Sequence, residues 1–193
     1  MRLDILNRGY GPGTRLMFAL IRLFSGHPLP DAAKLVFYRP DFYGARAAEA
    51  TQEAMRGPSA WPVGDRELMA AYVSEVNECA FCIGAHTATA SRAYRDGPRV
   101  EAVLADLESA PVEDALRATL RMLGKLTGEG EVSADDMREV LAAGASPEQI
   151  RDALAVCAAF NTTNRLADAF GFELPTPEGF QAGAKHLLKR GYR

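Results

Sequence analysis

Apolar positions recur at intervals of three and four residues along most of the chain, the pattern of helices that bury one face. After Ser146-Pro147-Glu148-Gln149 that spacing runs through Ile150, Leu154, Val156 and Phe160. The opening four residues form a capping box with proline at the first helical position. Thr176-Pro177-Glu178 opens another helix in the same way, and Ser133-Ala134-Asp135-Asp136 opens a third that stops near Gly144. Gly97-Pro98, Ala110-Pro111 and Gly128-Glu129-Gly130 separate further segments. No run alternates apolar and polar residues around a hairpin turn. The pattern predicts helices over roughly 14–25, 30–38, 41–56, 62–76, 79–95, 99–108, 112–126, 133–143, 147–170 and 177–190. This is an all-α, single-domain helical bundle over 1–193, with no linker dividing it. Residues 1–29 read as an N-terminal helical extension, 30–175 as the core and 176–193 as a C-terminal helix.

Composition narrows the function classes. The chain has 193 residues, 48% hydrophobic and 24% charged, enough to bury an ordinary core. The net charge of -3 offers no basic excess for a phosphate backbone, so nucleic acid is not an expected partner. The apolar stretch Arg15–Phe24 is interrupted by Arg22, and no small-residue cleavage site follows before His27-Pro28. It reads as an amphipathic helix packed on the body or on a neighbouring subunit. No uncharged apolar run reaches the length of a membrane span. Three cysteines are too few for a disulfide scaffold, and two of them form a C-x-x-C. In a reducing, cytoplasmic setting that spacing points to redox or metal chemistry.

The informative stretch runs from Asp65 to His86. Residues 65 to 76 form one helix, Asn77-Glu78 breaks it, and a second helix starts at or just before Cys79. At about 100° per residue, Cys79, Cys82 and His86 fall within roughly 60° of one another. The free amides and partial positive charge of a helix N-terminus favour a thiolate, and C-x-x-C thiols so placed have pKa values of about 3.5–7.5. His86, one turn beyond Cys82, can exchange a proton near neutral pH. Glu67 precedes Cys79 by twelve residues and on a straight helix would point away. With the break it swings towards His86. Glu75 is the competing acid and would be the better placed without the break.

Blander readings stand beside these. The two cysteines could be ordinary buried thiols, or could bind zinc with His86 and a fourth ligand from Cys157, His27, His186 or a carboxylate. Glu67 could be a helix-opening acid. Cys157, within the apolar run Leu154–Phe160, reads as an inert core thiol. Asn161, Asn164, Arg165 and Asp168 interrupt an apolar helix and read as a structural hydrogen-bond network. His27 and His186 have no companions. Phe81 and Ile83 shape an apolar pocket.

An acid, eleven intervening residues and then C-x-x-C-x-x-x-H fall here on Glu67, Cys79, Cys82 and His86. This motif resembles the core of the alkyl hydroperoxidase D-like branch of the carboxymuconolactone decarboxylase family. Arg56-Gly57-Pro58-Ser59 and the segment from Asn161 to Asp168 resemble its peroxidase-related subgroup, and the likeness spans roughly 30 to 175. The resemblance implies an all-helical fold, a homotrimer or homohexamer, and reduction of small hydroperoxides by the cysteine pair. No bound cofactor or metal is needed, and an external dithiol regenerates the pair. It also implies that Cys82 attacks the peroxide, Cys79 resolves, and Glu67 and His86 relay protons. Alkyl hydroperoxidase D has a histidine between its cysteines where this chain has Phe81, which shortens the relay.

Position alone favours Cys79 as the reactive thiol, because it lies nearer the helix N-terminus. The four-residue spacing to His86 favours Cys82: a positioned base contributes about 10²–10⁴-fold, a terminal dipole about 0.3–1 kcal/mol. Two other classes remain open: a lactone decarboxylase of the parent family, and a redox-sensing or zinc-stabilised interaction protein.

Overall fold

A computed structural model describes residues 4–38 and 40–192, apart from the side chains of residues 42 and 43. Residues 1–3 and 193, the outermost ends of the expected N-terminal extension and C-terminal helix, lie outside the described residues. The helices are α1 (Ile5–Arg8), α2 (Pro12–Ser25), α3 (Asp31–Tyr38), α4 (Ala45–Arg56), α5 (Val63–Val76), α6 (Ala80–Tyr94), α7 (Gly97–Ala105), α8 (Asp114–Glu129), α9 (Ala134–Ala142), α10 (Pro147–Phe170) and α11 (Pro177–Arg190). Among the described residues there is no strand. None of the helices is long and apolar enough to cross a membrane.

The starts follow the caps. Ser146 Oγ accepts from the Gln149 amide at 3.2 Å, and the Ser146 amide donates to Gln149 Oε1 at 3.0 Å. Ser133 and Asp136 make the same reciprocal pair at the head of α9, and Thr176 caps α11. The departures have local causes. α1 is one turn, too short for a period to register. The segment expected as one helix over 41–56 begins as a single π-helical turn, Pro40–Gly44, before α4. There α3 crosses so closely that a side chain at Gly44 would collide with the Val36 carbonyl. α7 ends at Ala105, because the Asp106 carboxylate caps the following turn through the Glu108 amide and the Ser109 hydroxyl. α8 runs through Gly128 and stops at Gly130, which takes the left-handed conformation (φ 83°).

α5 and α6 form an antiparallel hairpin at the centre. α8 and α10 pack on α5, while α7 and α11 pack on α6. The main core joins Leu68, Met69 and Val73 of α5 to Leu120 and Leu123 of α8 and Val156 and Phe160 of α10. A second, smaller cluster holds Cys79, Phe81 and Cys82 with Ala167 and Phe172, roofed by Leu6 of α1 and Leu35 of α3. The N-terminal segment thus covers the thiols. α2 lies outside both clusters. It touches the body through Phe18, which meets Tyr10 and Phe37 edge-on, and leaves Leu16, Leu20, Leu23 and Phe24 exposed.

Polar ties fix α10 against the hairpin. Asn77 Nδ2 donates to Asn161 Oδ1 at 2.9 Å, and Ser74 Oγ lies 3.1 Å from Asn164 Oδ1. Asn161 Nδ2 donates in turn to the Cys157 carbonyl at 3.2 Å. The network expected from sequence therefore exists for Asn161 and Asn164. It does not include Arg165, which is exposed, and Asp168 has a different place, beside Cys79.

Candidate active site

The site depends on how α5 turns into α6. Asn77 ends α5 with helical dihedrals, and Glu78 then adopts the left-handed conformation (φ 55°) without being glycine. The Cys79 amide donates back to the Ser74 carbonyl at 3.0 Å, which closes the turn. Such a conformation costs a non-glycine residue about 1–2 kcal/mol, offset here by the packing of the two helices it joins. Cys79 follows with extended dihedrals as the N-cap of α6. The reversal brings Glu67, near the start of α5, alongside His86 in the middle of α6.

Glu67 is fully buried, and its carboxylate is surrounded. His86 Nδ1 lies 2.8 Å from Oε2, and Arg56 Nη2 donates to Oε1 at 2.6 Å. The Tyr192 hydroxyl sits 2.9 Å from Oε1 and 3.1 Å from Oε2. Arg56 also donates to the Met55 and Leu187 carbonyls, and its guanidinium lies over the Tyr192 ring at 5.1 Å. Burial alone would raise the Glu67 carboxyl. The hydrogen bond and charge of His86, then those of Arg56, outweigh it and hold the group below the usual 4.5. Tyr192 is pushed the other way by burial first and the Glu67 charge second, so it stays a proton donor. The His86 ring is packed edge-on by Phe160 at 4.3 Å and stacked near Tyr192 at 6.3 Å. With Nδ1 committed to Glu67, Nε2 is the ring atom left to exchange a proton.

Cys79 and Cys82 are reduced and each 1% exposed. The Cys82 thiol donates to Cys79, which lowers the Cys79 pKa; burial and the adjacent Asp168 carboxylate, which accepts from Cys79, oppose this without cancelling it. That same bond to Cys79, then burial, pushes Cys82 up. The pair therefore favours one negative charge, placed on Cys79 at the helix N-terminus. Among the described residues, no hydrogen bond joins the His86 ring to either thiol in this resting arrangement.

A recess of about 310 Å³ opens beside Cys79, lined by Glu78, Ala80, Phe81, Ala167, Asp168, Gly171, Phe172 and Leu174. Phe81 and Phe172 meet edge-to-face at 5.2 Å and form its apolar wall.

The structure thus brings together Glu67, His86, Cys79 and Cys82 on one hairpin. Glu75 is exposed and faces away from the cluster. Cys157 is buried elsewhere between Thr127 and Asn161, and burial pushes its thiol up. His186 is exposed, and among the described residues no three His, Cys, Asp or Glu side chains are grouped to hold a metal ion. Sequence reasoning missed Arg56 and Tyr192 as partners of Glu67, and Asp168 as a neighbour of Cys79. Arg56 stood only in a flanking segment, and Tyr192, the penultimate residue of the sequence, carried no signal.

The Glu67 cluster has a consequence for stability. A carboxyl whose pKa is lowered on folding contributes stability that is complete above its unfolded value. That contribution is lost as pH falls through the folded value. Glu67→Gln removes it and leaves Arg56 without its counter-charge. The variant should lose about 3 kcal/mol at pH 7, the lower end for a broken buried pair. Its stability should then fall less steeply than wild type as pH drops below 4.5. Urea denaturation across that range measures both, and parallel acid slopes would contradict the assignment.

Residues 40–125 match the model of the carboxymuconolactone decarboxylase family, a span that contains Arg56, Glu67, Cys79, Cys82 and His86. No curated protein matches the chain. Among solved structures, an uncharacterized peroxidase-related protein from Silicibacter sp. TM1040 is similar at a TM-score of 0.79 and 24% identity, over 94% of this chain and 95% of that one. An alkylhydroperoxidase AhpD core protein from Ralstonia eutropha JMP134, also described as peroxidase-related, gives 0.74 and 24% over 95% and 96%. The debrominase Bmp8 gives 0.69 and 16% over 90% and 92%. At these identities the structures speak to the fold alone. Residues 40–125 thus resemble the carboxymuconolactone decarboxylase family, and the chain has the all-helical fold of the alkyl hydroperoxidase D-like proteins.

Proposed function

We propose that the chain is a thiol-dependent peroxidase that cycles Cys79 and Cys82 between dithiol and disulfide. The observation that carries this reading is the buried Glu67–His86 pair, set on the same hairpin as a reduced C-x-x-C with one acidified thiol. The peroxidase-related neighbours of the same fold support it. The debrominase neighbour shows that this fold hosts more than one reaction, so the site rather than the fold carries the argument.

In the proposed cycle the Cys79 thiolate attacks the terminal peroxide oxygen. The S–O bond forms, the O–O bond breaks, and the alkoxide leaves with the proton that the Cys82 thiol had shared with Cys79. Cys79 is then a sulfenic acid. Cys82, now a thiolate, attacks the Cys79 sulfur. Hydroxide leaves and takes a proton through His86, whose Nδ1 is held by Glu67, and the products are a disulfide and water. An external dithiol reduces the disulfide by exchange. This order reverses the roles that the family resemblance implies. It rests on the Cys79 thiolate at the helix N-terminus, while the relay stands one turn from Cys82, whose attack expels the hydroxide that must be protonated. A lactone decarboxylase gives the thiols no part in catalysis, so a lactone-converting activity that survives loss of both cysteines would favour that reading.

The exposed apolar face of α2 supports a homo-oligomer, as the resemblance implies, in which Leu16, Leu20, Leu23 and Phe24 are covered by a second copy.

Sulfenate trapping after one equivalent of an organic hydroperoxide reads the order. Cys82→Ser should accumulate label on Cys79, Cys79→Ser should not label, and His86→Ala should form the sulfenate but close the disulfide roughly 10²-fold more slowly or worse. Label confined to Cys79→Ser would return the attack to Cys82. Label in neither variant would remove the peroxidase reading.

A further inference from the structure

A group that carries protons must be able both to take one and to pass it on, and the surroundings of Glu67 oppose both. The side chain is fully buried, out of reach of bulk water. Oε1 accepts from Arg56 Nη2 at 2.6 Å and lies 2.9 Å from the Tyr192 hydroxyl. Oε2 lies 2.8 Å from His86 Nδ1 and 3.1 Å from the same hydroxyl. A protonated carboxyl has to donate as well as accept. A hydrogen on Oε1 would meet a guanidinium, which has donors only. A hydrogen on Oε2 would lie on the line to His86 Nδ1, where the Arg56 charge and the Tyr192 hydroxyl favour leaving it on nitrogen. Behind the carboxylate the chain of groups ends. Arg56 gives further hydrogens to the Met55 and Leu187 carbonyls, and burial with the Glu67 charge keeps Tyr192 protonated. The charged and titratable groups that reach Glu67 are Arg56 at the end of α4, Arg66 beside it on α5, His86 on α6 and Tyr192 after α11. Arg66 donates elsewhere, to the Ala54 and Gly57 carbonyls, and adds only its charge. From α10 the cluster receives the uncharged ring of Phe160.

The family resemblance implies a relay in which Glu67 and His86 both carry protons. We propose instead that Glu67 is a fixed anion, that Arg56 and Tyr192 are the positioning residues that keep it so, and that His86 alone carries protons, at Nε2. A buried carboxylate can fix the tautomer and orientation of an imidazole without taking its proton. Nδ1 keeps its hydrogen towards Oε2, and every proton that His86 gives or takes moves at Nε2. The proton that meets the departing hydroxide as the disulfide closes therefore comes from Nε2. Arg56 and Tyr192 act through Glu67. The proposal rests on the peroxidase reading for what receives the proton, but the fixed charge is a property of the cluster itself.

A pH titration of the full-length reduced protein, labelled with carbon-13 and nitrogen-15 and followed by NMR, tests this. The Glu67 side-chain carboxyl carbon is assigned through its own Cγ, and the His86 ring nitrogens through their own ring protons. In wild type the carboxyl resonance should carry most of its pH-dependent change below 4.5, the ordinary carboxyl value. His86 Nδ1 should keep its hydrogen both before and after Nε2 loses its own. Tyr192→Phe keeps the ring and removes one donor. Arg56→Gln keeps an amide and removes the charge. Each should move the carboxyl step up by about one pH unit or more. Should Arg56→Gln not fold, wild type and Tyr192→Phe still decide the matter. A main carboxyl step above 4.5 in wild type, a hydrogen that leaves Nδ1 while Nε2 keeps its own, or a step that Tyr192→Phe leaves unmoved overturns the proposal. Cumene hydroperoxide added to the same samples separates the two readings. If the resonances behave as expected while both thiols stay reduced, the fixed anion stands and the peroxidase reading fails.

Discussion

A carboxylate with no access to water is the constraint around which the rest is arranged. Burying Glu67 unpaired would cost several kcal/mol, so the fold must supply counter-charge and donors. It does so from three segments. α4 ends at Arg56, α6 supplies His86, and the chain beyond α11 supplies Tyr192, all converging on two oxygen atoms that α5 presents. Each donor has other ties that hold it in place. Arg56 also bonds the Leu187 carbonyl, and the Tyr192 amide donates to Gln52 Oε1 at 2.7 Å. The cluster therefore also fastens the C-terminal helix to the hairpin.

That clamp needs α11 to lie close on α6, and one residue allows it. A side-chain carbon at Gly84, two residues beyond Cys82 and two before His86, would come within 2.6 Å of the Phe180 ring. The face of α6 that carries no side chain at Gly84 is where α11 rests, and Phe180 in turn leans towards Phe81 at 6.3 Å. The same helix thus presents thiols at its N-terminus, a histidine at its middle and a docking groove between them. The two halves of the chemistry differ in environment. Glu67 and His86 are buried beside a half-buried Tyr192, whereas Glu78, next to Cys79 in the chain, and Asp168 are exposed acids that line a recess.

How much of this was legible in the sequence depended on range. Helix starts were written locally, in Ser133, Ser146, Thr176 and the prolines that follow the last two, and the observed caps use those atoms. Choosing Glu67 over Glu75 required one local inference, the break at Asn77-Glu78, because that turn decides whether the two helices run on or fold back. Cys157 was readable as a core thiol from its apolar neighbours alone. What could not be read was set by packing between distant segments. Tyr192 reaches Glu67 across a separation of 125 residues, with α11 seated closely on α6 at Gly84. Asp168 falls in the same polar run as Asn161 and Asn164. Those two point into the helix pair, while the rotation of α10 over its last turn carries Asp168 round to Cys79.

The central claim is that Cys79 and Cys82 form a redox pair while the third thiol stays structural. A thiol titration before and after one equivalent of cumene hydroperoxide, followed by disulfide mapping by mass spectrometry, tests it most directly. The account predicts the loss of two thiols, a Cys79–Cys82 bridge and a free Cys157. No thiol loss, or a bridge that includes Cys157, would contradict it.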